Sequence, residues 1–152
     1  MDAHKKEILD ALMRAMEIEK ETFDFYTKAE QKTFNQAGKR VFHWLARTEE
    51  QHYLKLTELY NSLNEEGRWV FYGGTTVVLE PDGPDDRHVT FDTGDREALE
   101  IAMEIEKKGI AYFEELIDRT TDPGGLETLE TLLNEEREHL RVINEKYRAI
   151  QP

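Results

Sequence analysis

Ala11-Leu12-Met13-Arg14-Ala15-Met16-Glu17-Ile18-Glu19-Lys20 returns 87 residues later as Ala98-Leu99-Glu100-Ile101-Ala102-Met103-Glu104-Ile105-Glu106-Lys107, identical at eight of ten positions. The same offset carries Glu49-Glu50-Gln51-His52 onto Glu136-Arg137-Glu138-His139. The chain therefore reads as a duplicated unit. Each copy holds one Glu and, 30 residues further on, a Glu-x-x-His.

Around these motifs apolar residues recur at alternating spacings of three and four, the signature of a buried helical stripe. The first stripe is Leu9, Leu12, Met16, Glu19, Phe23 and Tyr26, and the second is Phe42, Leu45, Glu49, His52, Leu56, Leu59 and Leu63. The third is Leu99, Met103, Glu106, Ile110, Phe113 and Ile117, and the fourth is Leu129, Leu132, Glu136, His139 and Ile143. Four helices follow, over roughly 3–32, 36–66, 95–121 and 123–150. A polar bend at Asn35 and Gly38 makes the first two antiparallel neighbours. Thr93 or Asp95 is placed to cap the third helix, and Asp122-Pro123 reads as N-cap and first helical position of the fourth. Residues 67–94 form a long connection in which Trp69-Val70-Phe71-Tyr72 and Thr75-Thr76-Val77-Val78-Leu79, flanking Gly73-Gly74, read as a small β-hairpin. A helix of about 28 residues is roughly 42 Å long, and a connection of this length can travel back along it. The expected fold is all-α: a four-helix bundle of two duplicated hairpins joined by one long crossover, with 1–152 as one domain.

Composition narrows the function. Lys plus Arg number 20 against 33 Asp plus Glu, a formal charge of −13, the wrong sign for gripping a phosphate backbone. No nucleic-acid partner is expected on that ground. With no Cys, thiolate zinc sites, cysteine-held clusters and Cys nucleophiles are excluded. No apolar run is long enough to cross a membrane and the start lacks a signal-peptide apolar region, so a cytoplasmic protein is expected.

Every stripe carries its carboxylate at mid-length. Four ionised carboxylates in an apolar interior, with no Lys or Arg at those levels, would cost several kcal/mol each after relaxation. Something positive must sit among them. Two divalent ions would balance Glu19, Glu49, Glu106 and Glu136, with His52 and His139 as neutral nitrogen ligands. Oxygen-rich donors with one nitrogen per metal suit iron or manganese, and zinc can also occupy such a set. One Glu-x-x-His in a Glu-rich helix reads more readily as a solvated, ion-paired turn; the weight lies in all six residues recurring at one offset. Glu17 and Glu104 fall on the far side of their helices and read as surface charges. Glu50 and Glu138 read as solvated or as partners of the imidazoles. His4, His43 and His88 have no acidic counterpart in the pattern. Trp44, Tyr53, Tyr60, Phe25 and Tyr112 form a second apolar set, for internal packing or for another subunit.

The set Glu19, Glu49-x-x-His52, Glu106 and Glu136-x-x-His139 resembles the rubrerythrin branch of the ferritin-like diiron carboxylate superfamily, which takes a Glu from each of two helices and Glu-x-x-His from the other two. The resemblance spans both helical pairs and leaves out 67–94. It implies a centre of two iron ions, with Glu49 and Glu136 bridging, Glu19 and Glu106 terminal, and Tyr26 beside the iron pair as a catalytic residue. It also implies reduction of hydrogen peroxide or oxygen, and a homodimer is expected. Rubrerythrins usually append a rubredoxin domain with a cysteine-held iron; here electrons would come from a separate donor, such as a rubredoxin-type protein. Members that move an iron between imidazole and carboxylate carry an extra Glu one turn after the third-helix ligand. Gly109 stands at that place and Thr22 at the matching place in the first half, so the shift does not carry over. Gly109 is instead expected to leave an opening where oxidant enters. Two other functions fit the same residues: a ferroxidase or iron-handling protein, and a helical scaffold with structural metal.

Overall fold

The computed structural model describes residues 3–79 and 95–150. It contains four helices: α1 (Ala3–Lys32), α2 (Gln36–Glu66), α3 (Arg96–Asp118) and α4 (Pro123–Arg148). Each boundary has a local cause. Asn35 caps α2 by accepting from the Gly38 amide. Gly67 ends that helix in the left-handed region, at φ 71°, with its N–H on the Leu63 carbonyl, a conformation that costs glycine no Cβ clash. Asp122 caps α4 through the Gly125 amide at 2.9 Å, with Pro123 directly behind it, as the sequence predicts.

Two ends differ from expectation. α3 stops at Asp118 rather than near 121, because the Arg119 and Thr120 amides turn back onto the Leu116 and Ile117 carbonyls and tighten the last turn. α4 likewise stops at Arg148, where the Ala149 and Ile150 amides bond the Lys146 and Tyr147 carbonyls. Asp95 occupies the N-cap of α3 without a capping bond and accepts from the Asn35 side chain at 3.2 Å. Thr93 lies outside the described residues.

The core consists of two apolar clusters. One holds Leu9, Leu12, Leu56, Leu59, Phe113, Leu116, Leu129 and Leu132; the other holds Tyr26, Phe42, Leu45, Leu99, Ala102, Val142 and Ile143. α1 and α4 pass from the first cluster to the second, whereas α2 and α3 pass from the second to the first. α2 and α3 are therefore parallel, which a short loop cannot achieve. On every helix the stripe carboxylate falls between the two clusters.

The connection makes that topology by running back along the bundle. Trp69, Val70 and Tyr72 pack on the first cluster, Val77 and Leu79 on the second. The expected β-hairpin is absent: residues 67–79 contain no strand. Their backbone groups find helix side chains instead of each other. The Arg68 and Val70 carbonyls accept from Ser62 and Thr128, and the Thr75 and Thr76 amides donate to Glu135 and Gln51. That satisfies the polar groups a ladder would have used. No helix among the described residues is long and apolar enough to cross a membrane.

Candidate metal centre

The fold brings all six predicted ligands together at the level between the two apolar clusters. Glu19, Glu49, Glu106, Glu136, His52 and His139 are each no more than 3% exposed. They form two overlapping groups, Glu19–Glu49–His52–Glu136 and Glu49–Glu106–Glu136–His139, whose ligand atoms lie within 4.8 Å of one another. Glu49 and Glu136 belong to both.

In the first group His52 Nδ1 lies 3.0 Å from Glu136 and 3.8 Å from Glu19 and Glu49. In the second, His139 Nδ1 lies 3.0 Å from Glu49, 3.3 Å from Glu106 and 4.0 Å from Glu136. The two imidazoles are stacked, 6.0 Å apart and 10° from parallel, so each turns the same nitrogen toward the acids. Tyr26, fully buried, donates its hydroxyl to Glu106 Oε1 at 2.6 Å.

Protons partly hold the metal-free cluster together. Burial, followed by the charge of Glu136 and a hydrogen bond with it, pushes the Glu106 carboxyl up to about 8. Burial pulls the His52 imidazole down, but its contacts with Glu135, Glu136 and Glu19 outweigh this and leave it well above its usual value. His139 is raised against the same burial penalty, chiefly by Glu106 and Glu136. Burial and the neighbouring carboxylates raise the Tyr26 phenol, so it keeps its proton.

The donor set fits divalent metal. Even with these protons, Glu49 Oε2 and Glu106 Oε2 are buried with no hydrogen-bond partner, an arrangement that normally costs stability. Carboxylate oxygens and one imidazole nitrogen per group suit iron or manganese, and the two shared carboxylates are placed to join two ions.

The remaining acids sort differently from the sequence reading. Glu50 pairs with Arg47 and Glu138 with Arg141, at the surface; neither reaches an imidazole. The partner of His52 is Glu135, whose Oε1 lies 3.0 Å from Nε2. Glu135 also accepts from the Tyr72 hydroxyl and, at 3.0 Å, from the Thr75 amide. These bonds outweigh the burial that opposes them and hold its carboxyl down at about 2. An ionised carboxylate only accepts, so His52 keeps a proton on Nε2, and Nδ1 is the nitrogen that would give up its proton to offer a metal its lone pair. Glu135 carries no signal in the sequence, because it precedes its motif rather than lying within it and its anchors, Tyr72 and Thr75, lie in the crossover. Glu17 and Glu104 are exposed and paired with Arg14 and Lys107, as expected. His43 is exposed beside Glu30, and His88 lies outside the described residues. Trp44 packs inward, its ring edge-on to His139 at 5.0 Å.

A four-helix bundle with one crossover, with two carboxylate-imidazole groups sharing two glutamates at its centre, is the architecture of the diiron carboxylate class. The sequence profile of the Rubrerythrin family matches residues 10–147, and the chain belongs to that family. A crystal structure from Thermotoga maritima, described as a ferritin-like diiron-carboxylate protein, is similar with a TM-score of 0.71 and 26% identity over 93% of this chain and 95% of that one. No curated protein matches the sequence.

Proposed function

We propose that this protein is a diiron oxidoreductase that reduces hydrogen peroxide, or oxygen, with electrons from a separate donor protein. The observation that carries this reading is the pair of overlapping ligand groups sharing Glu49 and Glu136: two ions held side by side suit a two-electron reaction. Glu19, Glu49, His52 and Glu136 would hold one iron, and Glu49, Glu106, Glu136 and His139 the other. Bound iron would supply one electron per ion, so that peroxide takes two electrons and two protons, its O–O bond breaks, and two waters leave.

The chain's own residues do the rest. The apolar clusters on either side exclude water from the centre, so charge there is poorly screened. Tyr26 holds its proton and its hydroxyl lies on Glu106, where it can hand a hydrogen bond to an incoming oxygen. Glu106, as one of the residues that would hold iron, would accept that hydroxyl in its ionised form. Gly109 is buried one turn beyond Glu106, and the Cβ it lacks would touch Glu136 at 4.0 Å. We assign the oxidant's entry to this gap. Gly109→Ala should leave peroxide consumption intact and Gly109→Leu should slow it. Equal rates in both would remove the gap from the mechanism. These 152 residues contain no Cys to hold a relay iron, and a rubredoxin-type donor is the matching partner.

The test is anaerobic iron loading, reduction, and addition of one equivalent of peroxide. Expected is loss of one peroxide per two ferrous ions, with iron remaining on the chain and a second turnover after re-reduction. Release of ferric iron after a single oxidation would favour iron handling instead. Metal that never changes oxidation state would make it structural.

A further inference from the structure

The duplication, taken alone, makes the two halves of the centre equivalent. Two differences break that equivalence, and both act in the same direction. The first lies behind the imidazoles. His52 has Glu135 on its far nitrogen, and Glu135 is itself fixed by Tyr72 and Thr75. The residue that takes the place of Glu135 in the first half, 87 positions earlier, is Thr48. Thr48 is fully buried and donates to the Trp44 carbonyl at 2.9 Å, within its own helix. His139 Nε2 is accordingly buried without a partner, and the Trp44 ring stands 5.0 Å from the imidazole at 69° to it.

The second difference lies on the terminal carboxylates. Glu106 accepts the Tyr26 hydroxyl, which draws electron density away from the oxygen that would bind metal. The counterpart of Tyr26 at the same offset is Phe113, fully enclosed and with no hydroxyl to give Glu19. The first group thus has the imidazole made more basic and better oriented, and a terminal carboxylate left undiminished. The second has an unbraced imidazole and a carboxylate already accepting from a phenol.

We infer that the two metal positions are unequal: the position at His52 takes the first divalent ion and holds it more tightly than the position at His139. Glu135 is the positioning residue that makes the difference, acting through His52 and anchored by the crossover. The role of the crossover is then more than topological, since it supplies Tyr72 and Thr75 to one position alone. Carboxylate partners of this kind are worth roughly 10- to 100-fold in metal affinity, which sets the expected separation. The inference rests on the cluster holding two metals, as proposed above.

The experiment is anaerobic titration of the metal-free full chain with manganese(II), read by calorimetry and by electron paramagnetic resonance. Expected are two steps separated by about 10- to 100-fold, with an uncoupled spectrum at one equivalent and a spin-coupled one at two. Glu135→Gln should weaken the first step and leave the second nearly unchanged, so that the steps merge. Tyr72→Phe, which leaves every ligand and Glu135 in place, should shift the first step the same way by less, and serves where Glu135→Gln fails to fold. Tyr26→Phe should tighten the second step. Glu106→Ala should keep the tight step and Glu19→Ala should remove it. Two equal steps in the wild-type chain, an effect of Glu135→Gln on both steps alike, or survival of the tight step only in Glu19→Ala would each overturn the inequality while leaving the dimetal reading standing. No uptake of manganese(II) or iron(II) would overturn both.

Discussion

Glu49 and Glu136 each belong to both ligand groups, whereas Glu19 belongs only to the group with His52 and Glu106 only to the group with His139. That division makes the four carboxylates distinguishable by subtraction. Glu49→Ala and Glu136→Ala should each lose both metals, because each removal strips a donor from both positions. Glu19→Ala and Glu106→Ala should each retain about one metal per chain. Elemental analysis after anaerobic loading and desalting reads the difference directly. Two metals retained in Glu49→Ala or Glu136→Ala would contradict the shared role. The six clustered residues were legible because each is a charged or titratable residue on an apolar stripe, a conflict between periodicity and chemistry that calls for a cation. Glu135 was not legible. It shares its helix with eight other acids or bases in the final half, and only the packing of the crossover singles it out.

The elements were readable where periodicity and caps agree, as at Asn35 and Asp122-Pro123. The crossover was not, because the same alternation of apolar residues that fits a hairpin also fits a strap laid over helices. What decides between them is a surface to lie on, and Gly125 supplies part of it. A Cβ at Gly125 would lie 2.5 to 2.8 Å from three ring atoms of Trp69, so the indole seats directly against the helix backbone. On helix propensity alone Gly125→Ala would stabilise the chain by about 1 kcal/mol. The rigid ring cannot yield at that distance, and overpacking of this kind typically costs about 1–3 kcal/mol. Gly125→Ala should therefore lower stability, measured by urea unfolding of the metal-free chain. Restoration of stability in the double variant with Trp69→Ala, relative to Trp69→Ala alone, would identify the clash as the cause. A stabilised Gly125→Ala would show that the indole does not seat there.

At the scale of the whole molecule, the two apolar clusters hold the bundle together and the charged layer between them works against it. Its protonation state decides by how much. The folded chain raises the Glu106 carboxyl from an ordinary 4.5 to about 8, so folding favours a proton that the unfolded chain gives up. Stability from that proton is complete below 4.5 and is lost as pH rises through about 8. His52 and His139 are also raised from 6.5, so their contribution is likewise present at low pH and lost as pH climbs past their folded values. Glu135 has the opposite sign, but with its carboxyl at about 2 its stabilisation is already complete above 4.5 and does not vary in this window. The metal-free chain should therefore be less stable at pH 8.5 than at pH 5.5. Each kcal/mol lost would lower Tm by about 3–4 °C in a chain of this size. Metal reverses the trend, because bound ions replace those protons and their affinity rises as the competing protons leave. The difference in Tm between loaded and metal-free protein should widen steadily from pH 5.5 to 8.5, as read by thermal unfolding in matched buffers. A metal-free chain that gains stability over this range would mean that the carboxylates are compensated by something other than protons or metal.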